Sequence, residues 1–282
     1  METNINSSYI ISSASLEGIK SKYIFNKIFN NLQEKKLLEI IKYNKSLQTK
    51  LNKDINDYKN FLKIEIEVIP AKYEYGEFIN IKEAKRYYHI YFNDNKEETE
   101  KNYITKDDEV TKIKIIIDQD IKSLNGLFRR CKCIEKINVI KFNRKDFTDM
   151  SFMFSNCSLL KEINMNNFIT DSVTSMYSMF ADCFALKKLD ASKFKTDNVK
   201  IMSYMFNKCS SLEELNLSSF DTRKVWNMCY MFYECKSLKY LNLSNFKTDN
   251  IFDMSYMFHG CSSLKEIVSS NELIKIMFKK HK

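Results

Sequence analysis

The sequence predicts an α/β fold: a solenoid of six 26-residue units behind an N-terminal helical module and a small β cap. Three observations predict it. The first is a fixed step. Cys131, Cys157, Cys183, Cys209, Cys235 and Cys261 each fall 26 residues after the last. Phe128, Phe154, Phe180, Phe206, Phe232 and Phe258 keep the same step, as do Met150 to Met254 and Phe142 to Phe246. A period of this size without insertions marks a stacked array, in which each unit buries its apolar face against its neighbours. The second observation is a run of alternating leucines after each cysteine. The third is a change of period before residue 118, from repeat spacing to strict strand alternation.

The first of the six units begins at Ile116 and is degenerate, with Ile121, Leu124, Leu127, Phe128 and Cys131 at its apolar positions. The fourth shows the pattern best. Val199, Met202, Met205, Phe206 and Cys209 recur at roughly helical spacing, with Thr196, Asp197 or Asn198 available as a cap. This predicts a short helix of two to three turns. Leu212, Leu215 and Leu217 follow as L-x-x-L-x-L, whose alternating part predicts a buried-inward strand. One strand and one short helix per unit is leucine-rich-repeat architecture, with strands stacked as a parallel sheet on one face and helices on the other.

The pattern M-F-x-x-C-x-x-L-x-x-L-x-L resembles the BspA-like, or treponemal-type, leucine-rich repeats. Met205, Phe206, Cys209, Leu212, Leu215 and Leu217 carry the likeness, and Met231, Phe232, Cys235, Leu238, Leu241 and Leu243 repeat it. It covers about residues 116–271. The resemblance implies a surface or interaction protein that binds other macromolecules.

Residues 1–62 read as a helical module. Ile24, Phe25, Ile28, Phe29 and Leu32 form one apolar stripe, Leu37 to Leu51 another, and residues 55–62 a third short helix. Residues 22–52 resemble an F-box through Ile28-Phe29 and Leu37-Leu38, although the opening Leu-Pro and later Trp of that motif are missing. That likeness implies docking to a ubiquitin-ligase adaptor through residues 16–62; a plain helical cap or another docking module is the alternative. Residues 63–115 read as a small β-rich cap. Leu62, Ile64, Ile66 and Val68 alternate with charged residues up to Pro70, and 87–94 and 112–118 are two further strands. Together they would cover the open first edge of the array. Residues 272–282 read as a basic amphipathic capping helix, with membrane-surface binding as the alternative.

Composition narrows the function. Four glycines and one proline exclude glycine-rich phosphate loops and long flexible linkers. A net charge of +9 is spread rather than clustered, so no nucleic-acid partner is expected. No run approaches the roughly 18 apolar residues of a membrane span. The first twenty residues lack a signal-peptide pattern, which points to the cytoplasm, with the cell surface as the alternative. The in-phase cysteines read as buried free thiols, Cys133 and Cys229 are off-phase, and Cys131-x-Cys133 is a weak metal signal. His89, His259 and His281 sit in no catalytic motif, so no enzyme, cofactor or metal is expected.

The function expected is recognition of another protein by an interaction scaffold. The candidate residues flank the L-x-L leucines: Glu162, Asn164, Lys188, Asp190, Glu214, Asn216, Tyr240 and Asn242. The Asn/Asp row is either a stacked hydrogen-bonding ladder or part of a concave binding face. A second candidate row is aromatic, Phe152, Tyr204, Tyr230 and Tyr256, on the expected helix side.

Overall fold

In the computed structural model, residue 40, residue 42, residues 44–82 and residues 84–281 are described, the last by its backbone alone. The chain divides into two compact bodies, Met1–Leu62 and Lys63–Lys282. Most of the F-box-like segment and the first apolar stripe lie outside the described residues. Within the first body, α1 spans Lys45–Leu51 and α2 spans Ile55–Leu62. Asn44 accepts the Leu47 amide at 3.0 Å to cap α1, and Asn52 ends it in the left-handed region. Asp54 accepts the Asp57 amide at 3.0 Å while Asp57 accepts the Asp54 amide at 2.7 Å. This reciprocal cap fixes the start of α2.

The regular elements of the second body are mostly strands. Strands β1 (Ile64–Pro70), β2 (Gly76–Glu77), β3 (Tyr88–Phe92), β4 (Tyr103–Ile104) and β5 (Ile113–Ile117) precede the repeats. Each repeat then contributes one strand: β6 (Ile134–Lys141), β7 (Glu162–Asn164), β8 (Lys188–Asp190), β9 (Glu214–Asn216), β10 (Tyr240–Asn242) and β11 (Glu266–Val268). A five-stranded sheet runs β3-β5-β1-β6-β7. Strand β1 pairs antiparallel with β5 and β6, whereas β6 pairs parallel with β7. The alternation read from Ile64 to Val68 places Ile64, Ile66 and Val68 in the core, as expected, and the first repeat strand is covered. The repeat strands do not form one continuous sheet. They pair as β6–β7, β8–β9 and β10–β11, with lapses between β7 and β8 and between β9 and β10.

The expected helix of each repeat is absent from the described residues; a chain of tight turns replaces it. In the fourth repeat the amides of Met205, Asn207 and Cys209 donate to the carbonyls of Met202, Tyr204 and Phe206, three residues back. The alternate amides of Met202, Tyr204, Phe206 and Lys208 leave the repeat. They donate to Asn227, Cys229, Met231 and Tyr233 of the next one, at 2.7–3.0 Å. Tyr204 and Lys208 have φ of 60° and 57°, and the matching residues of the other repeats are also left-handed. A helix would send those amides four residues back. Here they hold the next repeat instead.

Three further devices tie the repeats. The thiols of Cys157, Cys183, Cys209, Cys235 and Cys261 donate to a phenylalanine carbonyl of the preceding repeat at 2.9–3.1 Å. Phe128, Phe154, Phe180, Phe206, Phe232 and Phe258 stack face to face at 5.3–5.9 Å. Thr196 is not a helix cap. Its buried hydroxyl donates to the Asp221 carbonyl at 3.0 Å and accepts the Asp221 amide at 2.7 Å. Thr170 and Thr222 make the same double bond to Lys195 and Lys247. At the far end, α3 (Glu272–His281) packs Ile274 and Phe278 against the last repeat. Asn271 caps α3 through the Leu273 and Ile274 amides and donates to Thr248 at 2.8 Å.

Thr196→Val keeps the shape and strands a buried amide and carbonyl of Asp221. It is expected to cost about 1–3 kcal/mol, while Thr196→Ser costs much less. Chemical denaturation of both variants checks this; equal losses would contradict the threonine bridge.

Candidate functional site: the strand face of the repeats

In the repeat strands the middle residue points inward and its two neighbours outward, so the sheet has a solvent face. All eight candidate residues lie on that face and are exposed. The outer rows are not equivalent. In the first row Lys136 pairs with Glu162 at 2.9 Å, and Lys188 pairs with Glu214. Exposed pairs like these are worth little energetically, but they set an alternation of charge along the face. The alternation breaks at Tyr240, which faces Glu266 across the β10–β11 register.

The second row does local work. The side-chain oxygens of Asn164, Asp190, Asn216 and Asn242 accept the amides of Asn166, Ser192, Ser218 and Ser244, two residues on, at 3.0–3.1 Å. These are Asx turns that end each strand. The Asp190 carboxyl is held below the usual carboxylate range, first by the Ser192 amide, then by the Ser192 hydroxyl and the Asn216 amide. Each of these oxygens turns to the end of its own strand, and the row does not make the expected ladder.

The structure brings five of the eight together. Lys188, Asp190, Glu214, Asn216 and Tyr240 line a depression of about 510 Å³ with Leu189, Glu213 and Leu215. Glu162, Asn164 and Asn242 stand outside it. The depression lies where pairing lapses between β9 and β10. There Leu215, read from the sequence as a core leucine, is only half-buried, whereas Leu189 and Leu241 at the same repeat position are buried. Tyr240 stays 48% exposed beside it. Sequence spacing gave no sign of the lapse, because Leu215 keeps the phase of its neighbours.

The aromatic row lies on the turn ridge, not on a helix. Tyr204 stacks on Tyr230 at 4.7 Å and Tyr230 on Tyr256 at 4.9 Å. The column continues through Tyr177, which meets Phe152 at 5.0 Å and Tyr204 at 5.7 Å. Tyr177 was missed because it is one residue out of phase, Ser178 holding the in-phase position.

Elsewhere little invites chemistry. All eight thiols are free and buried, and burial pushes those of Cys183 and Cys261 up to about 12, far from a reactive thiolate. His89 lies between Glu98 at 3.1 Å and Asp118 at 3.3 Å. Among the described residues no cluster has the make-up of a metal site, and no helix is long and apolar enough to cross a membrane.

The repeats match the family model described as "Mycoplasma protein of unknown function, DUF285", over residues 122–216 and 209–280, more than half of the chain. The chain belongs to the DUF285 family. This is a family of the BspA-like repeat type in general. No curated protein matches the chain. The DUF285 match includes the strand-face depression, the turn ridge and nearly all of α3. The antiparallel strands β1–β5 lie before it.

Because the depression exposes Leu215, Leu215→Ala is expected to cost clearly less than Leu189→Ala. The buried leucine should cost about 2–5 kcal/mol. Urea denaturation of the two variants measures the difference, and equal losses would show that Leu215 is core.

Proposed function

We propose that this DUF285 chain is a non-catalytic recognition module. Its repeats act as a leucine-rich-repeat-type solenoid whose strand face binds another protein. The observation that carries this reading is the depression where β9 and β10 part, with half-buried Leu215 as its apolar floor, exposed Tyr240 beside it and a charged rim. Recognition sites combine an apolar, water-excluding centre with a large amphipathic anchor and polar surroundings. Tyr240 offers area and a hydroxyl with few rotors to freeze. The rest of the face is set by ion pairs and Asx turns, so its shape is fixed before a partner arrives, which lowers the ordering cost of binding. The protonated, buried thiols support the non-catalytic part of the reading.

Photo-crosslinking locates the contact. A benzoylphenylalanine at position 240 is expected to form a discrete protein adduct in cells of the source, while the same group at position 204 does not. With the adduct partner purified, Tyr240→Ala should weaken binding about tenfold or more and leave the circular dichroism spectrum unchanged. Adducts at position 204 alone, or an unchanged affinity, would move recognition off the strand face.

A further inference from the structure

The stacked ring column stops at Tyr256. Each interior tyrosine is covered by the next repeat's ring, 4.7 Å away at Tyr204 and 4.9 Å away at Tyr230, and both are half-buried. Tyr256 belongs to the last repeat and is 54% exposed. Where a seventh repeat would place its ring, the chain instead turns into α3, and a groove of about 200 Å³ is left. Tyr256, Met257, Phe258 and His259 line it from the last repeat, and Met277 and Lys280 from α3.

Three properties of the groove bear on what it accepts. Its stacking geometry is already set at this end of the column, where Tyr204, Tyr230 and Tyr256 stack at 4.7 and 4.9 Å and within 21° of parallel. Its wall carries the half-buried Met277, and a thioether beside an aromatic ring makes a favourable, adaptable contact. Its rim carries the ammonium group of Lys280. The nearby carboxylates of Glu272 and Glu234 are engaged by Lys275 at 2.7 Å and Lys236 at 3.7 Å. Lys280 is exposed and enters no ion pair among the described residues.

We propose that this groove docks an acidic segment of a partner protein, which inserts one aromatic side chain onto Tyr256 and sets a carboxylate against Lys280. A groove of this size, bounded on one side by α3, admits a single ring. A single-stranded nucleic acid binds along successive stacking platforms on a cationic track, and here the other rings of the column are already covered. The aromatic anchor supplies the apolar contact and Lys280 supplies the charge preference. This site lies on the turn ridge and is independent of the strand-face reading.

The test uses the full chain and fluorescein-labelled probes read by anisotropy: the peptide Asp-Glu-Trp-Glu-Asp, the same peptide with Ala for Trp, Lys-Lys-Trp-Lys-Lys, and a short oligothymidylate. The acidic tryptophan peptide is expected to bind, more weakly as salt is raised, and the other three to bind about tenfold more weakly or not at all. Tyr256→Ala and Lys280→Glu should each weaken it about tenfold. Lys280 is a surface residue, so Lys280→Glu keeps the test valid if Tyr256→Ala disturbs packing. Tyr240→Ala should leave this binding unchanged, which separates the groove from the strand face. Equal binding of the alanine peptide, no binding of the acidic peptide, or indifference to both groove variants would overturn the proposal. Tighter oligothymidylate binding that Tyr256→Ala abolishes would replace it with a nucleic-acid site.

Discussion

The second body depends on one exchange: every other amide of the turn ridge donates to the next repeat and not to its own. Buried amides must find acceptors, and here alternate ridge amides of one repeat find them in the carbonyls of its neighbour. A repeat therefore satisfies its own backbone only when a neighbour is present. The thiol, threonine and phenylalanine contacts follow the same one-repeat step. Such an array needs ends that differ from its interior. At one end the antiparallel strands supply β6 with a partner. At the other, Asn271 joins Thr248 to the start of α3, and Phe278 meets Phe258 edge-on at 6.0 Å.

This exchange accounts for the turns. To present alternate amides outward, the chain must reverse its local hand every four residues. Ten non-glycine residues of the ridge, from Arg130 to Tyr256, have positive φ. Left-handed geometry costs of order 1 kcal/mol for such residues, and it persists only when the surroundings over-determine it. Gly126 and Gly260 hold the same kind of position at the two ends. At Gly260 a side chain would come within 2.8 Å of Glu234.

Much of this was legible in the sequence. The 26-residue step gave the repeat boundaries and the buried cysteines and phenylalanines, and period-two alternation gave β1, β3 and β5. The ridge was not legible. Met202, Met205, Phe206 and Cys209 have the spacing of one helical face, and consecutive four-residue turns bury the same positions. With tyrosine, lysine and aspartate in the left-handed positions, the usual glycine signal of a turn is missing. Nor could alternation reveal that strand pairing lapses beside Leu215, since that depends on how neighbouring repeats meet. The candidate residues do lie on the solvent face of the strands, but their grouping around Tyr240 came from that lapse. The asparagine row proved to be local turn chemistry that any strand of this length ending in Asn-x-Ser would show.

The stacking exchange can be observed directly. Through-hydrogen-bond NMR couplings in the deuterated full chain identify the carbonyl that each amide engages. The amides of Tyr204, Phe206 and Lys208 should couple to the carbonyls of Cys229, Met231 and Tyr233. Couplings from the same amides to Lys200, Met202 and Tyr204, four residues back, would mean that the ridge is helical and that the repeats are held together in another way.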